Sequence, residues 1–197
     1  MDARELFLES DAALRSVIDA LTASDLELTA PADWSTGHRS ASLTVRDIVR
    51  RHAYDEAWIP DLLAGRTIDE VGDRWKSVLD SDDPIGSYDA IHDAATAAMS
   101  APGLDQGMTL HFSYGDYPFH EGILHPTSYR AFQSWQIARL VGSDFHLPAE
   151  LIAGLNELLL PMVPMLRGFG VFPPEQEPPA GADDETRLLC AVGFLLE

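Results

Sequence analysis

The sequence has very little cysteine and very little positive charge. Its 197 residues include one cysteine, and 13 Lys+Arg stand against 32 Asp+Glu, which gives a formal net charge of −19. So negative a field repels phosphates and anionic lipid headgroups, because a nucleic-acid interface must neutralise backbone charge with Lys and Arg. We therefore expect neither a nucleic-acid partner nor a membrane-surface role.

The scarcity of cysteine and lysine also limits the kinds of cross-link, metal site and covalent catalysis that the chain can support. A single cysteine can form neither an internal disulfide nor a Cys-rich zinc site. Cys190 lies in a run of Leu, Ala and Val, so we interpret it as a buried core thiol. Lys76 is the only lysine, and Schiff-base chemistry would depend on that one residue.

Long hydrophobic runs are missing as well. The longest uncharged apolar run, Leu158 to Leu166, is interrupted by Pro161 and Pro164, and the start MDARELFLES is acidic. The sequence therefore predicts no signal peptide, no membrane span and a cytoplasmic protein. The length of 197 residues and the 46% of hydrophobic residues suit a single domain over residues 1–197.

Apolar residues recur at three- and four-residue spacing along most of the chain, which predicts helices. Thr44 followed by Asp47 has the pattern of a helix cap. The predicted helices cover residues 2–24, 44–65, 83–103, 118–142 and 148–159, with short helical segments at 67–71 and 184–196.

Two segments depart from that periodicity. Residues 25–43 contain Pro31, Gly37 and scattered polar residues, so they predict a long connection that Trp34 anchors to the core. Residues 108–115 alternate apolar and polar side chains, which predicts one short extended segment. The expected fold is all-α: four long helices around one core, with a long connection after the first and extra C-terminal helices.

Three segments of the chain resemble a known family: TVRDIVRRHAYDEAWIPDLLAGRTIDEVGDRW, HFSYGDYPFHEG and SWQIARLVGSD. The family is the actinobacterial branch of the DinB/YfiT-like superfamily, which includes mycothiol-dependent maleylpyruvate isomerase. The likeness covers residues 44–142, and the tail at 178–189 fits it. It implies a DinB-like four-helix bundle, and a metal held by one His on the second helix plus an acidic residue and a His four apart on a later helix. Many members are transferases or isomerases that use mycothiol or bacillithiol.

The metal ligands implied by the resemblance do not carry over to good donors. Counting back from Trp58 and Trp135 places the three positions at Arg51, Tyr129 and Gln133. Arg offers only donors, and a neutral phenol and an amide oxygen are weak metal ligands. We therefore predict no metal at these positions.

A metal site that includes His52 is the alternative prediction. His52 is one residue from the expected position, and one step on a helix turns a side chain by about 100°. Glu121 and His125 are four apart and would complete a His/Glu/His set with His52. The other interpretation is that His125 has no metal-binding role and is a partly solvated residue at the start of a helix.

The residues at the former metal positions suggest a pocket for a small molecule. Arg51, Asp55, Trp58 and Gln133 are candidate substrate-binding residues, and Tyr129 and His52 are candidate catalytic ones. A buried guanidinium needs a carboxylate, so Arg51 either pairs with Asp55 or grips a carboxylate or enolate of a ligand. In the second case Tyr129 would act as a hydrogen-bond donor or acid.

Three functions stay open at this point. The first is a DinB-like enzyme that acts on a small organic substrate by metal-independent acid/base or anion-stabilising chemistry, with no cofactor. The second is a transferase or isomerase that depends on a divalent metal and mycothiol. The third is a non-catalytic protein that binds a small molecule, and a homodimer is compatible with each.

Overall fold

A computed structural model describes residues 1–31, 34 and 43–194, and most of these residues are helical. The all-α fold class is confirmed at this level. In chain order the helices are α1 (Ala3–Asp19), α2 (Val45–Leu63), α3 (Ile68–Val71), α4 (Pro84–Met99), α5 (Phe119–Gly122), α6 (Leu124–Leu140), α7 (Ala149–Gly154), α8 (Val163–Gly168) and α9 (Asp184–Val192).

Side-chain caps set where several helices begin. Asp2 and Glu5 form a reciprocal capping box at the start of α1, and Thr44 and Asp47 form another at the start of α2. Such boxes satisfy backbone N–H groups that have no partner inside the helix. The predicted cap at Thr44 is confirmed.

The four long helices, α1, α2, α4 and α6, form a bundle. Helix α2 packs on α4, and α1 packs on α6 and on α4. Helices α2 and α6 meet through side chains, among them His52 with Tyr129 and Glu56 with Arg130. The contact between α2 and α6 therefore includes polar and aromatic groups, which is unusual for a bundle core.

The extended segment near residues 108–115 is a hairpin instead of a single strand. β1 (Thr109–Phe112) pairs antiparallel with β2 (Gly115–Pro118), and Phe112 lies opposite Gly115. Gly115 has a φ of 148°, a conformation that costs glycine little. Alternating apolar residues indicated the first strand. The second strand, with the sequence GDYP, has no such alternation and was not predicted.

The helix predicted over 118–142 is also divided. Pro118 belongs to β2, and α5 and α6 are separated at Ile123. Pro126 then falls in the first turn of α6, where its missing N–H costs nothing. Ile123 itself keeps helical backbone angles, and its N–H donates to Phe119 O, so the two helices follow each other directly.

The long connection is described only in part. Thr29 forms an isolated bridge with Thr44, and Trp34 packs half-buried against the core, as predicted. Residues 32, 33 and 35–42 of the predicted connection lie outside the described residues. Residues 195–197, which include the predicted end of the last helix, lie outside them too.

The C-terminal part adds helices to one side of the bundle. Leu151, Leu155, Leu159 and Val163 are buried in the core. Among the described residues, Ala149–Gly168 is the one helical stretch that is long and apolar enough to cross a membrane. The mean hydropathy of its most apolar 18 residues is 1.4, and 33% of this segment is buried. Cys190 on α9 is 2% exposed, so the prediction of a core thiol is confirmed.

Candidate functional site

The candidate site lies where α2 faces α6. The ring of His52 stacks on the ring of Tyr129, with centroids 4.5 Å apart and planes 26° apart. Gln133 follows Tyr129 by four residues, so the two side chains share one side of α6. His52 is 0% exposed and Gln133 is 1% exposed.

His52 is a buried neutral imidazole. Burial lowers its pKa to about 3, and the positive charge of Arg130 adds to that shift. Gln133 lies close enough to the ring to oppose the fall in its pKa. No full hydrogen bond forms, because neither ring nitrogen has a hydrogen-bond partner among the described residues, and the same is true of Gln133 Oε1. Buried polar atoms are normally paired, so these three mark a place where another polar group would be accommodated.

The structure puts His52, and not Arg51, against Tyr129. Successive helical residues point about 100° apart, so only one of the two can face α6 directly. Arg51 is half-buried. Its positive charge opposes the rise in the pKa of Asp55 and of Tyr129, so it acts on both groups.

Asp55 on α2 and Tyr129 on α6 are two titratable groups of the candidate site. Burial raises the pKa of Asp55 to about 6, and the charges of Arg130 and Arg51 limit that rise. Burial raises the pKa of Tyr129 above its ordinary value, and the carboxylate of Asp55 adds to the rise. Arg51 acts on Asp55 through its charge, without the direct ion pair that one reading of the sequence predicts. At neutral pH the site therefore offers one carboxylate base and one neutral phenol.

An aromatic edge, made of Phe112, Tyr114, Tyr117 and His125, borders the site. Tyr117 meets His125 edge to face with centroids 4.7 Å apart, and Phe112 stacks on Tyr114 at 5.1 Å. Tyr114 is 60% exposed, and its hydroxyl lies 3.3 Å from His125 Nδ1. The hairpin therefore packs on the start of α6, a placement that depends on the second strand and was missed from the sequence.

Trp58 lies one turn after Asp55 on α2. Its ring meets Tyr54 edge to face, with centroids 6.2 Å apart. The structure records no ring contact of Trp58 with His52 or Tyr129 among the described residues, and Trp58 Nε1 has no hydrogen-bond partner there. A role of Trp58 in binding a ligand stays a prediction.

The alternative metal triad does not come together. His125 belongs to the aromatic edge, whereas His52 stacks on Tyr129, so the two histidines do not meet at one site. Within the described parts of the chain, no three His, Cys, Asp or Glu side chains lie close enough to hold a metal ion. His52 with Tyr129 and Gln133 also fits a divalent metal poorly, because only the imidazole is a good donor.

Asp11, Glu56 and Arg130 form a cluster of buried charged residues in the core of the bundle. The sequence analysis did not predict this cluster. Arg130 Nε donates to Glu56 Oε1 at 2.5 Å and lies 3.5 Å from Asp11 Oδ1, with all three side chains at most 1% exposed. His92 Nε2 lies 3.1 Å from Asp11 Oδ2, so each of the four long helices contributes one charged or titratable residue. Asp11 falls in the apolar stripe of the first helix, beside Phe7 and Leu14, and that position was the available signal.

A separate open cleft of about 320 Å³ lies on the other side of the hairpin. In it, His111 Nδ1 lies 2.8 Å from Asp116 Oδ1 across the two strands. The cleft is lined by Thr67, Ile68, Asp69, His111, Phe112 and Asp116.

Comparison with known proteins adds no relative: no family model, no curated protein and no solved structure matches this chain.

Proposed function

We propose that this chain is a DinB-like enzyme, related to the actinobacterial branch that includes mycothiol-dependent maleylpyruvate isomerase. It acts on a small organic substrate between α2 and α6 without a metal. The order of four long helices supports the family proposal, as does the position of His52 opposite Tyr129 and Gln133. The resemblance implies a metal at Arg51, Tyr129 and Gln133, none of which is a good ligand, and His52 is the residue next to Arg51.

One observation carries the functional proposal. Both ring nitrogens of the fully buried His52 and Oε1 of Gln133 have no hydrogen-bond partner among the described residues. An unpaired buried polar group costs about 1–3 kcal/mol. A polar group of a substrate can recover that cost by bonding to His52 and Gln133, with Asp55 and Tyr129 beside it.

The charges suggest a role for each residue. Asp55, with a pKa of about 6, is ionised at neutral pH and suits a general base. Tyr129 stays protonated and donates a hydrogen bond or a proton. Arg51 attracts a carboxylate or enolate oxygen. His52, with a pKa of about 3, is too weak a base for neutral pH and is assigned to binding.

These roles fit proton transfer next to a carbonyl group. The Asp55 carboxylate takes a proton from the carbon beside the carbonyl, and the Tyr129 hydroxyl gives its proton to the carbonyl oxygen. The product is an enol, with Asp55 protonated and Tyr129 deprotonated. Return of a proton from Asp55 to the same carbon, and of the enol proton to Tyr129, regenerates the carbonyl compound, and in D2O these steps replace the carbon-bound proton by deuterium. Such pairs of groups with separated pKa values are typical of acid/base sites.

The test uses a panel of small 2-oxo acids in D2O. NMR measures how fast the protons beside the carbonyl exchange for deuterium, with the wild-type chain and with Asp55→Asn. We expect the wild type to accelerate exchange for at least one acid and Asp55→Asn to lose the acceleration. Binding without exchange would favour a non-catalytic binding protein, and neither binding nor exchange would refute the proposal.

A matched control separates the site from the hairpin cleft. Asp116 is an exposed carboxylate that pairs with His111 on the strands. Asp116→Asn should leave the exchange rate unchanged, because its side chain does not contact His52 or Tyr129. An equal loss in both variants would show that the effect is a general one of charge.

A further inference from the structure

Two carboxylates meet one permanent cation at the centre of the bundle, and His92 lies beside one of them, with its Nε2 3.1 Å from Asp11 Oδ2. Asp11 and Glu56 both approach the guanidinium of Arg130, and all three are almost completely buried. A buried carboxylate without its own counter-charge is strongly unfavourable. Two carboxylates near one cation are therefore expected to share a proton, because like charges at close range cannot both ionise cheaply.

The hydrogen bonds indicate where that proton lies. Oε1 of Glu56 accepts from Arg130, and Oδ2 of Asp11 accepts from Thr96 at 2.9 Å. The other oxygens, Glu56 Oε2 and Asp11 Oδ1, have no hydrogen-bond partner among the described residues, although Asp11 Oδ1 lies 3.5 Å from Arg130 Nε. Two ionised carboxylates cannot donate to each other, but a proton on one of them satisfies both free oxygens.

The neighbours decide which acid is protonated. Burial raises the pKa of Glu56 to about 8, and the negative charge of Asp11 and the hydrogen bond between the two acids add to the rise. Burial also acts to raise the pKa of Asp11, but the hydrogen bond with His92 and the charge of Arg130 hold it below its ordinary value. Asp11 is thus the ionised partner and Glu56 the protonated one.

The other groups around the pair do not change this assignment. On α2, His52 is neutral, and on α4 burial and the two acids raise the pKa of Tyr88, which keeps that phenol neutral. Arg15, one turn after Asp11, lies 3.0 Å from His92 Nδ1. Its charge is balanced by carboxylates at the surface: Asp19, Asp89 and Asp93.

We propose that Glu56 and Asp11 hold one proton between them, carried on Glu56, and that this proton is a pH-sensitive lock joining α1 to α2 at the centre of the bundle. When base removes the proton from Glu56 Oε2, two carboxylates face one guanidinium, and their repulsion weakens the contact between the helices. The lock needs no substrate and does not depend on the proposed enzyme activity.

The sign of the pH effect follows from the direction of the shift. Glu56 has a folded pKa of about 8, above its ordinary 4.5, so protonation stabilises the folded chain. That contribution is complete below pH 4.5 and is lost as the pH rises to about 8. His92, whose pKa is raised by Asp11 against the effect of burial, adds a loss of the same sign above its ordinary 6.5.

The first experiment measures the free energy of unfolding by urea at several pH values, from about 6.5 to about 8.5, so that it spans the Glu56 transition. Glu56→Gln copies the protonated acid, because its amide can donate to Asp11. We expect wild-type stability to fall with pH, and the slope to shrink by up to about one proton equivalent in Glu56→Gln. An unchanged slope in Glu56→Gln would overturn the proposal.

Asp61→Asn provides a matched control. Asp61 is also buried on α2, but Arg66 and Arg74 lie 2.6 Å and 2.9 Å from its Oδ1. It has no second acid to share a proton with. Asp61→Asn should therefore lower stability at every pH in the range and keep the wild-type slope. Loss of the slope in this variant as well would assign the pH effect to general charge and overturn the proposal.

A second measurement remains decisive if Glu56→Gln does not fold. Infrared spectra of the folded wild type near neutral pH should contain a carbonyl band of one buried protonated carboxyl group. The band should disappear as the pH is raised through the same range in which stability falls. The absence of that band in the folded wild-type chain would overturn the proposal.

Discussion

The imidazole of His52 and the phenol of Tyr129 form a stacked pair, with ring centroids 4.5 Å apart, between α2 and α6. The pair joins two helices that pack more closely on their other neighbours, α4 and α1. Both rings carry polar atoms into the core, so the contact combines packing with potential hydrogen bonding. Substitution of either residue can therefore show whether its polar atoms contribute to the stability of the fold, to activity, or to both.

Tyr129→Phe removes the hydroxyl and keeps the ring stacked on His52. Removing a proton donor is expected to lower turnover by about 10²-fold or more if the hydroxyl acts as an acid. Stability should change by less than about 1 kcal/mol, because the ring still fills its place. Urea unfolding and the deuterium-exchange rate are measured on the same preparation. Unchanged exchange would remove Tyr129 from the chemistry.

Asp55→Asn tests the general base through the pH profile. With Asp55 as the base, wild-type activity should rise with pH and reach half its plateau near its pKa of about 6. The Asn variant should lose that rise, because an amide does not take a proton in this range. The measurement is the exchange rate from about pH 4 to about pH 8. A profile with the same midpoint in both proteins would exclude Asp55.

His52→Gln should make the protein more resistant to acid. The folded pKa of His52 is about 3, below its ordinary 6.5, so the unfolded chain takes up a proton first as the pH falls. This costs stability by up to about 1.4 kcal/mol per pH unit within that window. In His52→Gln the fall in stability between these pH values should be smaller. An identical acid profile would show that His52 titrates normally.

Arg130→Met removes the only guanidinium that contacts Glu56 within the described residues. Breaking a buried ion pair on one side costs about 3–5 kcal/mol, because the remaining charge is stranded. The loss is measured by urea unfolding near neutral pH. Arg139→Met is the control, because Arg139 is exposed and lies over the Trp135 ring at 5.4 Å. It should cost less than about 1 kcal/mol.

Trp135→Ala tests the packing of the C-terminal part. Trp135 is 8% exposed, and its ring lies parallel to that of Phe194 with centroids 6.2 Å apart. Removing it should cost about 3–5 kcal/mol, since a large cavity remains. Phe169→Ala, at a residue that is 78% exposed, should cost little. Similar losses in both variants would mean that α8, not the core, controls the transition.

The sequence was most informative where the physics is local. The cap at Thr44, the helical spacing of apolar residues and the burial of Cys190 all depend on neighbours a few positions away. The hairpin was half predicted for the same reason. Alternation marks β1, whereas the second strand is held in place by pairing with the first, so its own residues carry little signal.

The site shows the limit of counting positions along a helix. Tyr129 and Gln133 share a face because they are four residues apart, and the sequence is enough to say so. The choice between Arg51 and His52 depends on how α2 is rotated toward α6. One residue turns the side chain by about 100°, and that rotation is set by packing along the whole helix.

The sequence by itself determined the helical class, the helix starts and the acidic surface of this protein. Only the tertiary structure decided that Asp11, Glu56 and Arg130 meet, because Glu56 and Arg130 are 74 residues apart in the chain. Glu56 and Arg130 look like ordinary surface charges in their own segments, and only Asp11, in the apolar stripe of its helix, signals burial. Their meeting follows from the way four amphipathic helices close around one core, since burial then forces the charges to pair and one acid to keep its proton.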